Sequence, residues 1–249
     1  MVAQARENLR RELPMFIEQE EHKTRVCIVG GAPSLKDTLP ALRFAIDRGS
    51  IVLALNGTHD YLIARGIIPD LHVMVDARIE NVEFVRKPHK QTTYMIAAQC
   101  HPGVFDALTD HELIMWVADV TGMRELAAGV EKPVGLIGGG STVGLKAMML
   151  MYLWGFRSMS LFGMDSCYRK DDHHAYKQSL NDDERRLETI INGKRFVCSP
   201  WMIAQAEDFD NDARNLIAHG VSLKAYGSGL IQTLLETINK ETAHESTAA

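Results

Sequence analysis

The sequence predicts an α/β fold, a doubly wound, mainly parallel sheet with helices on both faces, of the Rossmann-like type. From Arg25 onward, short aliphatic or β-branched runs alternate with amphipathic segments. Several early runs are apolar without polar alternation, which is typical of strands covered on both faces. This alternation is the pattern of consecutive βαβ units.

The apolar runs predict strands at residues 26–29, 51–55, 71–75, 93–97, 113–117, 134–137, 158–162, 195–198 and 222–225. Helical spacing predicts helices between them at 35–48, 60–65, 80–86, 102–108, 141–154, 200–219 and 229–241. Apolar residues at helical spacing also predict a leading helix over 1–21, through Leu9, Leu13, Phe16 and Ile17.

No linker or repeat divides the chain, and only the charged stretch 169–186 departs from its even composition. We therefore expect a helical extension over 1–24, a single α/β domain over 25–242 and a frayed tail over 243–249. A domain of this size buries enough surface to fold without a disulfide or a structural metal.

Charge and composition exclude several classes of protein. The 32 acidic and 27 basic residues give a net charge of -5, and the basic residues form no tract, so we expect no nucleic-acid partner. No apolar run approaches the ~20 residues of a membrane span. The four cysteines are far apart, which fits a reducing cytoplasmic setting. A homo-oligomer is left open.

Ligands of open parallel sheets bind at the carboxyl ends of strands, so the residues after each apolar run are candidates. Gly30, Gly31 and Ser34 follow the first run, where free amides at a helix start attract phosphate. The alternative is a tight turn with Ser34 as N-cap. Asn56 follows the second run and either binds a base or ribose or forms a turn.

Two acids follow later runs. Asp76 with Arg78 suits Mg²⁺ bound together with phosphate oxygens, or a plain salt bridge. Asp165 precedes a group suited to proton transfer or metal binding, comprising Tyr168, Arg169, His173 and His174. Zinc is disfavoured there, because adjacent residues in an extended segment point in opposite directions.

Three glycines at 138–140 precede a long helix. Consecutive glycines cost backbone entropy, so the run indicates close approach to a partner such as a ligand. Gly139 and Gly140 are therefore candidate nucleotide contacts, and Ser141 and Thr142 either cap the helix or donate to a phosphate or sugar.

The motifs VGGAPSL, LNGTHDYL, IPDLHVMVD, GGGSTVGLKA, FGMD and NGKRFVCSPWM occur in this order. Over about residues 25–231 the chain resembles the domain of unknown function 115 family, whose characterised archaeal members are 6-hydroxymethylpterin diphosphokinases. The resemblance implies pyrophosphate transfer from Mg-ATP to a pterin hydroxymethyl group.

That resemblance also implies residue roles. Gly30, Gly31 and Ser34 would face the nucleotide phosphates, and Asn56 the nucleoside. Asp76 and Asp165 would bind Mg²⁺ or the attacking hydroxyl. Since the chain has no P-loop lysine, Arg78 or Arg169 would supply positive charge.

The first and later motifs are also similar to those of bacterial sialyltransferases that use CMP-sialic acid. This similarity implies that Ser141 and Thr142 hold the donor, Tyr168 or Tyr176 stabilises the departing phosphate, and His173 or His174 is the general base. Gly31 stands where those enzymes have asparagine. We expect a nucleotide-dependent transferase with a small-molecule acceptor, of diphosphokinase type before glycosyltransferase type. A non-catalytic nucleotide- or sugar-binding accessory protein is the third alternative.

Overall fold

The predicted α/β fold is confirmed. The computed structural model describes residues 1–129, 135–170, 172–176 and 185–248. Eight parallel strands form one sheet in the order β10-β7-β1-β2-β3-β4-β5-β6. The strands are β1 His22–Val29, β2 Ile51–Leu55, β3 Leu71–Met74, β4 Thr93–Ala97, β5 Leu113–Ala118, β6 Leu136–Ile137, β7 Phe156–Phe162 and β10 Ser222–Tyr226.

Helices cover both faces of this sheet. They are α1 Val2–Asn8, α2 Leu35–Asp47, α3 Thr58–Ile63, α4 Pro102–Ala107, α5 Met123–Ala128, α6 Val143–Leu153, α7 Pro200–Ala218 and α8 Leu230–Ala248. In β1, Val26 and Ile28 face one apolar core while Cys27 and Val29 face the other, under α2 and α3. All four side chains are fully buried, which explains why the run lacks polar alternation.

Some elements differ from the sequence prediction. The segment Ile79–Val85 is a 3₁₀ helix, and α5 and strand β8, Leu187–Ile191, were not predicted. Strand β9, Lys194–Cys198, pairs antiparallel with β8 outside the main sheet. Val134, predicted to begin a strand, lies outside the described residues.

The predicted leading helix over 1–21 is wrong in extent, because α1 ends at Asn8. Beyond it, the Phe16 amide donates to Met115 O (2.7 Å) and the Met115 amide donates to Pro14 O (2.8 Å). This segment therefore extends the sheet beside β5. Proline has no amide hydrogen and disrupts a helix interior, so pairing with the sheet replaces the helical hydrogen bonds here.

At the other terminus, α8 continues to Ala248, whereas the sequence predicts a helix only to 241 and a frayed tail over 243–249. The segment after Gly229 contains no glycine or proline to stop the helix. No helix in the described ranges combines the length and apolar composition that crossing a bilayer requires.

The strand order reverses at β1. From β1 the chain adds β2 to β6 on one side, and it then crosses to place β7 and β10 on the other side. Such a reversal opens a crevice at the carboxyl edge of the sheet, and this crevice is where doubly wound proteins bind ligands. The fold therefore predicts a ligand site at the carboxyl ends of β1, β2 and β7.

Candidate functional site

The ends of β1 and β7 are in direct backbone contact. The Gly30 amide donates to Phe162 O at 2.8 Å, and a Cβ atom on Gly30 would lie 2.5 Å from Gly163 O. Close approach of two backbones therefore explains the glycine at position 30 without a ligand. Its predicted contact with phosphate stays a prediction.

Asp165 is tied to the start of α2. Its carboxylate accepts the Ser34 amide at 2.9 Å and the Ser34 hydroxyl at 2.5 Å, and only 4% of the residue is exposed. Its backbone oxygen also accepts the Leu230 amide at 2.8 Å. Burial raises the pKa of Asp165 although the Ser34 hydrogen bonds oppose this. The side chain therefore ties the segment after β7 to the start of α2, the backbone oxygen ties it to α8, and Ser34 makes no N-cap bond of its own.

Tyr176 covers the ends of β1 and β2. A Cβ atom on Gly31 would lie 2.6 Å from the Tyr176 hydroxyl, and one on Gly57 would lie 3.2 Å from its ring. The Ala175 amide donates to Gly31 O at 2.7 Å and holds this segment in place. Burial raises the pKa of Tyr176 to about 12. The glycine at position 31 thus accommodates an aromatic ring.

Asn56 lies at the end of β2, directly before Gly57, which the Tyr176 ring contacts. Its backbone is left-handed, with φ 47°, a conformation that asparagine tolerates better than most residues. Its side-chain oxygen Oδ1 is buried and has no hydrogen-bond partner within the described residues. A buried acceptor without a donor is costly and calls for an explanation. Of the predicted nucleotide contacts, Asn56 has the clearest need for a ligand.

Asp76, one strand further along, forms the salt bridge with Arg78 that is the alternative to a magnesium site. The Arg78 side chain donates to its carboxylate at 2.7 and 2.6 Å, and the Arg78 amide at 2.9 Å. Burial alone would raise the pKa of Asp76, but these hydrogen bonds outweigh it and the pKa falls below its ordinary value. The Asp76 side chain is 30% exposed, so a charged carboxylate reaches the edge of the sheet.

Asp76 and Asp165 are not brought together as one magnesium site. Strands β1 and β2 lie between β7 and β3, and three strand spacings amount to about 14 Å. Carboxylates sharing one Mg²⁺ each bind at about 2.1 Å. Within the ranges that the structure describes, no group of three or more His, Cys, Asp or Glu residues is arranged to hold a metal.

The glycine run 138–140 is bound by α7. The Gly140 amide donates to Asp212 at 2.8 Å and the Ser141 amide donates to Asp208 at 3.0 Å. Gln205 of the same helix donates to the Thr142 hydroxyl at 3.1 Å. Amides that could bind phosphate are therefore paired with carboxylates from the chain itself.

The loop is nevertheless close to the crevice. A Cβ atom on Gly144, in the first turn of α6, would lie 2.8 Å from Met164 and 3.5 Å from Leu55. These two residues belong to the ends of β7 and β2. The start of α6 is thus close to the end of β2, where Leu55 precedes Asn56.

The charged stretch places an aromatic cluster beside Gly31. The rings of His173 and His174 lie 4.4 Å apart, and His173 is edge-on to Tyr168 at 5.7 Å. His174 Nδ1 is 3.3 Å from Gly31 O. The Tyr168 ring also contacts the Arg186 guanidinium at 4.6 Å. These predicted residues are therefore close to one another.

Arg169 and Arg78 both have acidic partners. Arg169 forms an ion pair with Asp37 of α2, as Arg78 does with Asp76. Both arginine side chains are about half exposed, at 58% and 48%. Either would have to leave or share its carboxylate in order to bind a phosphate.

Three residues at this edge of the sheet were not predicted from the sequence. His72 on β3 forms a hydrogen bond with the Asn56 carbonyl, and Asp208 and Asp212 on α7 accept hydrogen bonds from the amides of Ser141 and Gly140. A histidine inside the aliphatic strand 71–74 was a signal that the sequence offered. The two aspartates carried none, because their spacing is that of any exposed helix face.

Two cavities lie away from these residues. One, of about 620 Å³, lies between α1 and α5, and one of about 610 Å³ lies near His22 at the amino end of the sheet. No residue that the sequence predicts to be part of a functional site lines either cavity. At the carboxyl edge, Tyr176 and Phe84 occupy the space above Gly57.

The fold and the edge geometry define a Rossmann-like α/β protein with a candidate ligand site where β1, β2 and β7 end. The sequence profile of the 6-hydroxymethylpterin diphosphokinase MptE-like family matches residues 1–171, and the chain belongs to that family. The resemblance found in the sequence motifs is thereby confirmed, and membership supports a transferase-like role.

Two solved structures are similar to the chain, and the first of them shares its fold. The MAf glycosyltransferase from Magnetospirillum magneticum AMB-1 is similar with a TM-score of 0.68 and 16% identity, over 96% of this chain and 41% of that protein. The chain thus spans less than half of that protein's length. A mammalian sialyltransferase in complex with Gal-beta-1-3GalNAc-ortho-nitrophenol matches with a TM-score of 0.46 and 12% identity, over 92% of this chain and 80% of that one. No curated protein sequence matches the chain.

Proposed function

We propose that the protein is a nucleotide-dependent transferase that binds its donor across the ends of β1 and β2. The observation that carries this proposal is the buried Asn56 Oδ1 without a partner among the described residues, at the strand reversal of a doubly wound sheet. An N–H or O–H group of a nucleoside would satisfy this oxygen. Membership of the MptE-like family supports the transfer of a group from the bound nucleotide.

The first candidate reaction is diphosphoryl transfer from Mg-ATP to a hydroxymethylpterin. In this proposal Asp76, which follows β3 next to the end of β2, binds Mg²⁺ together with phosphate oxygens, since one carboxylate suffices for magnesium in such sites. The metal would neutralise charge on the transferred group. Arg78 holds Asp76 ionised and adds positive charge at the same strand end. Asp165 has a structural role in this arrangement.

The second candidate is transfer of a sugar from a CMP-sugar, and it is favoured by the cluster of His173, His174, Tyr168 and Tyr176 beside Gly31. A histidine there would act as general base and a tyrosine would donate to the departing phosphate. This candidate needs no carboxylate pair. A binding protein without turnover remains the third alternative and is one outcome of the tests.

Asn56→Gly tests the binding site. Glycine keeps the left-handed backbone and removes only the side chain. We expect the Kd of the preferred nucleotide, measured by calorimetry, to rise about tenfold, since one hydrogen bond to a buried group is lost. Asn192, also left-handed with φ 51°, lies in the β8–β9 turn, so Asn192→Gly is the matched control and should leave the Kd unchanged. Equal affinity of the wild type and Asn56→Gly would refute the assignment.

The donor and the reaction are separated by a second set of measurements. Calorimetry compares Mg-ATP, CTP and CMP, each with and without EDTA, and product analysis follows AMP release with a hydroxymethylpterin and CMP release with a CMP-sugar. The diphosphokinase candidate requires ATP preference and loss of activity in EDTA. Cytidine preference with activity retained in EDTA would favour sugar transfer, and binding without any product would favour the accessory protein.

A further inference from the structure

His72 is a polar residue inside a buried aliphatic strand. Its neighbours on β3 are Leu71, Val73 and Met74, and its side chain is fully buried. A buried histidine lowers the stability of the fold unless its ring nitrogens have hydrogen-bond partners. Its partners therefore indicate what the residue contributes.

One ring nitrogen contacts the proposed nucleotide residue. His72 Nε2 lies 2.9 Å from the backbone oxygen of Asn56. A carbonyl only accepts, so Nε2 carries the hydrogen and Nδ1 is a bare acceptor. Nδ1 is buried and has no partner in the described part of the chain. An apolar side chain would avoid this unsatisfied acceptor, so packing alone does not explain the histidine.

A second histidine supports the same carbonyl. The His59 amide donates to Asn56 O at 3.3 Å, and the His59 ring stacks on His72 at 4.8 Å. That ring is fixed in turn by Asp60 at 2.8 Å and by the Tyr94 hydroxyl at 3.1 Å. Two donors thus converge on the carbonyl of Asn56, the left-handed residue whose own side-chain oxygen has no partner among the described residues.

We propose that His72 is a positioning residue for the nucleotide site and acts through the carbonyl of Asn56. Its hydrogen bond holds the left-handed backbone, and that backbone sets the direction in which Asn56 Oδ1 meets an N–H or O–H group of the nucleoside. The inference rests on the proposed function for the ligand. It extends that function to a buried residue that touches no ligand.

Three substitutions separate positioning from packing. His72→Gln keeps an N–H donor near the position of Nε2, whereas His72→Leu and His72→Met remove both the donor and the unsatisfied acceptor. We expect the nucleotide Kd to stay within about twofold for His72→Gln and to rise about tenfold for the two apolar variants. Their urea midpoints should equal or exceed that of the wild type. Apolar variants with lowered midpoints and unchanged Kd would show that His72 is merely structural.

A double-mutant cycle tests whether the effect passes through Asn56. In an Asn56→Gly background, His72→Leu should change the nucleotide Kd by less than twofold, because the group being positioned is gone. His72→Met replaces His72→Leu in the cycle if the latter does not fold. Full additivity of the two losses would overturn the proposal.

A ligand-free measurement distinguishes failure of this inference from failure of the proposed function. With ¹⁵N-labelled asparagine, the Asn56 side-chain amide signals are identified by their disappearance in Asn56→Gly. Loss of the imidazole ring affects the signals in all three variants, so they should shift further in His72→Leu and His72→Met than in His72→Gln, which keeps the hydrogen bond. If the wild type binds no nucleotide, the proposed function fails while these signals still decide the positioning role, and shifts no larger in the apolar variants than in His72→Gln would contradict it.

Discussion

The polar residues that follow β2, β3 and β7 differ in their hydrogen-bond partners. Asp165 has its carboxylate occupied by Ser34 and Asp76 has its carboxylate occupied by Arg78. Asn56 alone among these three keeps a buried side-chain oxygen without a partner in the described ranges. The polar residue type at a strand end therefore identifies a candidate, but its hydrogen bonds decide whether a ligand is needed.

At this scale we expect Asp165→Asn to lower the free energy of unfolding by about 1–3 kcal/mol. The amide group cannot accept from both the Ser34 amide and the Ser34 hydroxyl, so one buried donor loses its partner. Urea unfolding at pH 7 measures the change.

Ser34→Ala is the companion variant. Because both substitutions remove the same contact, the double variant should lose less than the two single losses together. An Asp165→Asn protein with wild-type stability and lost nucleotide binding would instead support the catalytic role predicted from the sequence.

At the scale of elements, the glycine run is a packing device between α6 and α7. A Cβ atom on Gly140 would lie 2.8 Å from the Cβ of Asp208, and Gly139 has a left-handed backbone with φ 87°. Gly138 has neither constraint, since nothing lies within 4 Å of its Cβ position. The three glycines therefore differ although the sequence shows them as equivalent.

We predict that Gly140→Ala destabilises the protein by about 1–3 kcal/mol, because the added methyl would clash with Leu145 Cδ1 of α6 and lie 2.8 Å from Asp208 of α7, and both must shift. Gly138→Ala is the matched control and should be neutral or slightly stabilising, since it only restricts the unfolded chain. Thermal unfolding followed by circular dichroism compares the two. Equal melting temperatures for both variants would contradict the packing role of Gly140.

Contacts with distant residues explain why α1 ends earlier than the sequence predicts. Leu9, Leu13, Phe16 and Ile17 have helical spacing, yet residues 14–16 pair with Met115 of β5. Asn8 closes α1 by donating to Ala98 O and Cys100 O, each at 2.9 Å. Periodicity is a local property, whereas these partners are about 90 residues away in the sequence.

At the scale of the whole molecule, burial of titratable groups links stability to pH. Burial lowers the pKa of His72 well below its ordinary value of 6.5, and His59 adds to the shift. Below pH 6.5 the unfolded chain therefore binds a proton that the folded chain does not bind. The free energy of unfolding therefore falls as the pH falls from 6.5 towards the pKa of His72 in the folded protein.

We expect His72 to lower the free energy of unfolding by about 1.4 kcal/mol for each pH unit below pH 6.5. Urea unfolding at pH 7.5, 6.5 and 5.5 measures the loss in the wild type and in His72→Gln, which has no titratable group at this position. The wild type should lose more than the variant between pH 6.5 and 5.5. Parallel pH profiles would show that His72 does not stay neutral in the folded protein.

The sequence by itself determined the α/β class, the strands of the main sheet and the edge at which its candidate residues lie, because apolar periodicity and parallel topology follow from local patterns. Tertiary structure decided which of those residues are already satisfied. Asp165 meets Ser34 across 131 positions of sequence, Gly140 meets Asp212 across 72, and Ser141 meets Asp208 across 67. A hydrogen bond depends on where two groups meet in space, so no local pattern could reveal that Asn56 Oδ1 has no partner among the described residues while the carboxylates of Asp76 and Asp165 have theirs.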